Sequence, residues 1–198
     1  MKTRLFNNLT LVALLGLVLV SCQSAPEQEV IDANAAVTAA QDAGAELYAN
    51  DAYLALSDSL NAALEAVESE KSKFFKDFSK AKAQLTQVIT MSQAVADSAV
   101  ANKEKVKNEA IVLIAAVNAL IESNKELVAQ APTGKEGATA LLAIQGEIDA
   151  ITNANVEANT LLTGEDFIGA KNKAASNQEK ALAINAELKS VIEKTAKK

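Results

Sequence analysis

Residues 77–129 read DFSKAKAQLTQVITMSQAVADSAVANKEKVKNEAIVLIAAVNALIESNKELVA, and this stretch decides the fold class. Its apolar or small residues recur in steps of three, four or seven, which keeps one face of an α-helix turned inward. These inward positions are Phe78, Ala81, Leu85, Val88, Val95, Ala99, Val106, Leu113, Val117, Leu120 and Leu127. Nothing here forces a stop, so we expect one helix of about 50 residues. The charged patch at 102–109 could instead hide a turn.

Comparable stripes recur on both sides of this stretch. They run from Val30 to Leu47, Tyr53 to Val67, Leu141 to Leu162 and Phe167 to Val191. No segment shows the two-residue alternation of a strand. We therefore predict an all-α protein of about five helices, one of them very long, arranged as elongated antiparallel hairpins or a coiled-coil-like bundle. Alanine fills many inward positions, so the helix axes should lie close together.

Two breaks in the pattern predict turns. Residues 131–136, APTGKE, contain a proline and offer Thr133 as a helix N-cap with Glu136 three residues on, the pattern of a capping box. At Thr163–Asp166, Gly164 is expected to take the left-handed conformation that ends many helices. We predict a helical hairpin module at 29–130 and a C-terminal hairpin at 131–198 that packs on it.

Phe74, Phe75 and Phe78 form the densest aromatic patch in the chain. The favoured interpretation places these rings in the core of a helical hairpin. The alternative is a surface patch on which a partner docks.

The first residues have the features of an export signal. Lys2 and Arg4 precede an apolar run from Leu9 to Val20, which is too short to span a bilayer comfortably. We predict that residues 1–21 are a signal peptide and that residues 22–28 form a linker.

Leu19, Val20, Ser21 and Cys22 resemble the lipobox of bacterial lipoproteins. That resemblance implies cleavage just before Cys22, a diacylglycerol on its sulfur and usually a third acyl chain on its amine. Several acyl chains hold a protein to a membrane almost permanently. Gln23 stands where many Gram-negative lipoproteins that stay in the inner membrane have Asp. We therefore expect the outer membrane rather than the inner one, with the protein facing the periplasm or the cell surface.

The charge of the mature chain argues against nucleic acid as a partner. Removing the signal removes Lys2 and Arg4, which leaves 17 basic and 25 acidic residues and a net charge of −8. Phosphate binding needs a basic face, which a chain of this composition lacks.

The residue inventory also argues against an enzyme. The chain has no histidine and only one cysteine, so it lacks the usual general base, thiolate nucleophile and metal ligands. The carboxylate pairs Glu68/Glu70 and Glu165/Asp166 suit solvated helix faces or helix starts. We predict no catalytic residue, no metal and no cofactor.

Residues 29–101 resemble a small helical domain of unknown function that is found in many bacterial envelope proteins. The resemblance rests on an alanine-rich first helix, the corner Tyr48-Ala49 and the aromatic-x-x-Ala pattern that follows. Leu56 stands where that family has alanine. The resemblance implies a lipoprotein-type helical module and brings no known activity.

Together these features predict a non-enzymatic envelope lipoprotein, a helical spacer or interaction module whose partner is a protein or an envelope polymer. The alternative is a lipoprotein that carries a lipid between its helices or remodels the membrane. An open apolar groove exposing Ile111, Leu113, Ile114 and Val117 would favour the carrier. A closed alanine ladder with charged outer faces would favour the spacer.

The C-terminal residues EKTAKK faintly resemble the end of the major outer-membrane lipoprotein, which is joined to peptidoglycan through a C-terminal lysine. That resemblance would imply a link through Lys198. Lysines in the last turn of any helix interact favourably with its dipole. We favour this ordinary role and do not expect the peptidoglycan link.

Overall fold

The computed structural model describes residues 24–132 and 135–196, and within these ranges all regular structure is helical. The all-α prediction is therefore confirmed. The helices are α1 (Glu27–Asp42), α2 (Ala45–Tyr48), α3 (Asn50–Lys71), α4 (Ser79–Gln130), α5 (Lys135–Thr163) and α6 (Phe167–Ala196).

The long helix is continuous. α4 runs unbroken for 52 residues, so the charged patch at 102–109 does not hide a turn. Val106 on this patch is half-buried and Ala110 just after it is fully buried. The inward stripe thus passes through the patch, where Glu104 and Lys105 are exposed and the other charged residues are partly buried.

The first predicted stripe extends too far. α1 ends at Asp42, and Gly44 takes the left-handed conformation with φ of 87°. A Cβ there would lie 3.1 Å from the Tyr48 ring, so glycine suits this turn on both counts. The turn rotates the one-turn helix α2, which buries Ala45 and leaves Leu47 69% exposed. The prediction that Leu47 faces inward is wrong for this reason.

The turn between α5 and α6 lies where the sequence predicts it, but its left-handed residue is Glu165, with φ of 64°. Gly164 instead continues the helical pattern, since its N–H donates to the carbonyl of Thr160 at 2.9 Å. Asp166 then caps α6 by accepting a hydrogen bond from the N–H of Gly169 at 2.9 Å. The predicted capping box at Thr133 lies outside the described residues.

Contacts divide the chain into two units, residues 1–97 and 98–198. This division falls inside α4, whereas the sequence predicts a boundary between two modules at the turn after residue 130. Turn signals mark where a helix ends, and a helix that continues from one set of contacts to another carries no such signal.

In the first unit α1 packs against α3, and α2 closes the corner between them. The buried side chains of this unit are almost all apolar. They are Pro26, Ala33, Val37, Ala40, Ala45, Leu56, Ala63, Val67, Phe78, Ala81, Leu85, Val88 and Val95. Ser92 is buried as well, and its hydroxyl donates to the carbonyl of Val88 one turn earlier in the same helix.

In the second unit α5 and α6 form a hairpin that packs together. Its larger apolar cluster includes Val117 and Ile121 of α4, Ile148 of α5, and Ile184 and Leu188 of α6. Four asparagines are also buried in this unit, and they are Asn124, Asn155, Asn177 and Asn185.

Candidate functional site

The lipobox residues Leu19, Val20, Ser21 and Cys22 lie outside the described residues, and so does Lys198. The described chain begins at Ser24 and joins the fold at once. Pro26 is fully buried, and Ala25 and Pro26 line a small apolar hollow with Val67 and Lys71 of α3. Pro26, four residues after Cys22 in the sequence, is therefore already part of the folded body.

The predicted aromatic patch divides into two parts. Phe78 is 1% exposed and belongs to the core, as the favoured interpretation expected. Phe74 and Phe75 lie in the loop between α3 and α4, and they are 92% and 73% exposed. Their rings meet edge to face with centroids 5.0 Å apart. The core interpretation is wrong for these two rings, so a surface patch here can include only the Phe74–Phe75 pair.

The start of α4 explains this division. Asp77 accepts a hydrogen bond from the N–H of Ser79 at 3.0 Å, which caps the helix. Phe78 therefore stands in register with Ala81 and Leu85 on the inward face. Phe74 and Phe75 precede the cap and belong to no helix, so no helical face carries them inward.

The Phe74–Phe75 loop lies at the same end of the first unit as the start of α1. Lys71, three residues before Phe74, lines the hollow that holds Pro26. In addition, Lys82 of α4 pairs with Glu29 of α1 at 2.9 Å. We call this end, residues 24–31 and 71–82, the proximal end, and residues 42–51 the distal end.

All basic residues between positions 23 and 97 belong to the proximal end. They are Lys71, Lys73, Lys76, Lys80 and Lys82. Lys71 pairs with Glu68 at 2.7 Å and Lys73 with Glu70 at 2.5 Å. Within the described parts of the chain, Lys76 and Lys80 form no ion pair.

Three carboxyl groups at or beside this end have lowered pKa values. A hydrogen bond from Lys82 holds the pKa of Glu29 below its usual value, and Lys73 does the same for Glu70. Hydrogen bonds from the Ser79 hydroxyl and N–H lower the pKa of Asp77. Each group is thus held in its charged form, which is the state that an ion pair or a helix cap needs.

The second unit has a groove between α5 and α6 of about 310 Å³. Ile151 and Ile184 lie at its floor, and its walls include Ala150, Ala154 and Ala183. Small alanine side chains leave this space open. Glu147, Lys180 and Glu187 stand around it.

Asn177 also lines this groove. Its side chain is 3% exposed, and its buried amide nitrogen has no hydrogen-bond partner among the residues that the structure describes. A buried amide group that lacks a partner destabilises the fold unless something supplies the missing bond.

The other buried asparagines mainly join helices. Asn124 of α4 donates to the carbonyl of Ala181 in α6 at 2.8 Å, and Asn185 of α6 donates to Asn124 Oδ1 at 2.7 Å. Asn155 of α5 donates to the carbonyl of Ile114 at 3.1 Å and to Asn118 Oδ1 at 2.8 Å, both on α4.

The burial of these asparagines could have been predicted from the sequence, because they occupy inward positions that a search for apolar residues alone does not include. The predicted stripes go directly from residue 120 to 127, from 151 to 158 and from 174 to 181. Asn124, Asn155 and Asn177 occupy the inward positions between these pairs. An asparagine at an inward heptad position indicates a buried amide that sets the pairing of helices.

The carboxylate pairs have structural partners. Glu68 and Glu70 bind lysines one turn away. Glu165 lies 3.8 Å from Lys103, and Asp166 caps α6. In the described ranges, no group of three or more acidic, histidine or cysteine side chains is placed to hold a metal ion.

The four α4 residues whose exposure would favour a carrier, Ile111, Leu113, Ile114 and Val117, do not line an open groove. Ile114 and Val117 are buried, and Leu113 is half-buried against the smaller cluster formed with Ala158 and Ala174. Of the four, only Ile111 is exposed. This region of α4 therefore packs into a closed core.

No protein-family model, curated protein or solved structure matches this chain. Among the helices of residues 24–132 and 135–196, none combines the length and apolar character needed to cross a membrane.

Proposed function

We propose that this protein is a non-enzymatic lipoprotein of the bacterial envelope, anchored through acyl chains on Cys22. Its helical body serves as a spacer or interaction module for a protein or an envelope polymer. The outer membrane is the favoured location, with the body facing the periplasm or the cell surface. The proposal starts from the lipobox resemblance of Leu19 to Cys22 and the absence of histidine from the chain.

The observation that carries the proposal is the burial of Pro26, so close to the lipobox cysteine. Four residues of extended chain span at most about 14 Å. Acyl chains on Cys22 would therefore hold the proximal end of the first unit near the membrane surface. α1 begins at Glu27, whereas the sequence predicted a linker that extends to residue 28.

The character of the two cores supports an interaction module over a carrier. Ile114 and Val117 are packed inside, and within the second unit most long apolar side chains of α4 and α5 belong to two buried clusters or pack against them. A few apolar side chains remain on the outer surface of the second unit, among them Leu142, Val156 and Leu182. Scattered single residues of this kind are common on protein surfaces and suit modest contacts with a partner.

A carrier remains the second candidate because of the groove at Asn177. Its volume is at the small end of the range of about 300–1,000 Å³ typical of ligand pockets. An amphipathic molecule with a carbonyl oxygen could accept a hydrogen bond from the unpartnered amide. Mass spectrometry of lipids that copurify with wild type but not with Ala154→Phe would support this candidate, and equal lipid content would exclude it.

Substitution of the proposed anchor tests the main proposal. Wild type expressed in a Gram-negative cell should incorporate a palmitate analogue and remain with the membrane fraction. Cys22→Ser should incorporate none, because the acceptor sulfur is lost. Labelling of the variant, or an unlabelled and soluble wild type, would contradict the anchor.

The interaction role needs its own measurement. A photo-cross-linking side chain placed at Val156, which is exposed on α5, should yield a discrete adduct in intact envelopes. Position 158 on the same helix provides the control, since Ala158 is buried and a cross-linker there should reach only this chain. If Val156, Leu142 and Leu182 all yield no adduct, the body is a spacer and the interaction module is wrong.

A further inference from the structure

We propose that the Phe74–Phe75 loop inserts into the interface of the membrane that holds the acyl chains of Cys22. The loop would act as a second anchor that sets the orientation of the first unit. This inference rests on the proposed lipid anchor. The occupant of this apolar surface is thus a lipid bilayer, rather than another protein.

The first argument is the exposure of the two rings. Phe74 and Phe75 are 92% and 73% exposed, and they contact each other edge to face. Two adjacent, largely exposed phenylalanines at a loop tip present an apolar surface that water solvates poorly. Inserting the tip into the interfacial layer would remove this surface from water without any change in the helices.

The second argument is position. The loop and the start of α1 lie at the same end of the first unit, as the hollow shared by Pro26 and Lys71 and the Lys82–Glu29 ion pair show. Cys22 is only four residues before Pro26. A membrane anchor on Cys22 would therefore bring lipid to this end of the unit.

The third argument is charge. The five lysines of the proximal end have long apolar stems that can lie along acyl chains while their ammonium groups reach lipid phosphates. Six acids at or beside this end nearly balance them, and they are Glu27, Glu29, Asp32, Glu68, Glu70 and Asp77. The distal end carries only acids, Asp42, Glu46 and Asp51. An anionic membrane surface would thus repel the distal end and accept the proximal one.

The chain contains no tryptophan, which makes a single introduced indole an unambiguous probe. Phe75→Trp would be prepared as the full acylated protein and placed in vesicles of phosphatidylethanolamine and phosphatidylglycerol with brominated acyl chains. Insertion to a depth of about 5–10 Å should shift the emission to the blue and reduce it about twofold relative to unbrominated vesicles.

Leu47→Trp is the matched control. Leu47 is 69% exposed, close to the value for Phe75, but it belongs to the distal end. The 16 residues of α1 separate the two ends by about 24 Å. Its emission should remain that of an indole in water, with no effect of bromine. Equal quenching at both positions would mean that the unit lies flat, which overturns the proposed orientation.

Acylation is measured by mass spectrometry on the same samples, so that the two proposals can fail separately. If Cys22 is acylated and the indole at position 75 is not quenched, the loop proposal is wrong while the anchor stands. If Cys22 is not acylated, the anchor is wrong, and quenching by added vesicles decides the loop alone. A blue shift that follows protein concentration without lipid would indicate a second copy, and one that requires an added envelope protein would indicate a protein partner. Either result would overturn insertion.

Discussion

The two units obey the same heptad rule but fill their inward positions differently. The buried side chains of the first unit are alanine, valine, leucine, phenylalanine and proline, apart from Ser92, whose hydroxyl is satisfied within its own helix. The second unit places four asparagines among its isoleucines and leucines. Apolar layers stabilise any register that buries them, whereas a buried amide favours the one register that gives it a partner.

Asn124 shows how such a register is specified. Its amide nitrogen binds the carbonyl of Ala181, and its oxygen accepts a hydrogen bond from Asn185. A shift of α6 by one turn along α4 would break both bonds and leave buried polar groups without partners. Among the described residues of the first unit no asparagine is buried. Its alignment therefore depends more on the corner at Gly44 and on the shapes of its apolar side chains.

The largest expected effect tests whether the apolar layers of the two units are equivalent. Phe78→Ala in the first unit should lower the free energy of unfolding by about 3–5 kcal/mol, and Leu188→Ala in the second by about 2–5 kcal/mol. Both side chains are fully buried, and truncation leaves a cavity. Urea denaturation followed by circular dichroism measures both losses.

Phe74→Ala is the control for this experiment because it removes the same atoms from an exposed position. It should change the free energy of unfolding by less than about 0.5 kcal/mol. A loss as large as that of Phe78→Ala would mean that the loop packs on the body, and the division of the aromatic patch would be wrong.

A smaller effect should separate the two units. Asn124→Ala removes the hydrogen bond to the carbonyl of Ala181 and leaves the amide nitrogen of Asn185 with only its longer bond to Ser123 Oγ at 3.2 Å. This loss should destabilise the protein by about 1–3 kcal/mol. Ser92→Ala in the first unit removes only a hydrogen bond to a carbonyl of the same helix. Such a bond contributes little to the stability of a helix, so the free energy of unfolding should change by about 0.5 kcal/mol at most.

The double variant Asn124→Leu/Asn185→Leu sharpens this comparison. The second substitution also removes the buried amide of Asn185, which Asn124→Ala leaves without its Asn124 partner, so part of the lost stability should return. Cross-linking between cysteines introduced on α4 and α6 would then detect a loss of unique register. If the double variant loses as much stability as Asn124→Ala, the two amides stabilise the fold directly and do not only select the helix register.

The degree to which sequence predicts this fold follows from the same chemistry. Inward positions such as Ala33, Leu85 and Leu188 were predictable because an apolar side chain repeats at a helical period. Leu47 was not, because a left-handed glycine three residues earlier rotates the chain, and apolar spacing contains no record of that rotation.

The candidate site was predictable only in part. The lipobox stands as a sequence motif, while Phe74 and Phe75 could not be told from Phe78 without knowing which residue caps α4. The joining of the proximal end depends on tertiary contacts between α1, α3 and α4, such as the pair of Glu29 with Lys82, 53 positions apart. Helical periodicity describes one helix at a time and does not specify such contacts.

The smallest expected effect is on how the melting temperature depends on pH. The pKa of Glu29 is lowered by Lys82 and that of Glu70 by Lys73 in the first unit, and that of Glu109 by Lys171 in the second. A carboxyl group whose pKa is lower in the folded state stabilises the protein above its ordinary pKa and loses that contribution as the pH falls through the folded value.

These groups are exposed, so the contribution of each pair is small. Lys82→Gln and Lys171→Gln should therefore melt slightly below wild type at neutral pH. The difference should shrink as the pH falls below the ordinary glutamate value of 4.5 and vanish only below the lowered pKa of the folded state. Lys76→Gln serves as the control, because Lys76 forms no ion pair within the described ranges and its melting difference should not follow the glutamate titration. Melting temperatures measured by circular dichroism from pH 7 to pH 3 would decide the matter, and a difference for Lys82→Gln that widens as the pH falls would show that the Glu29 pair does not stabilise the first unit.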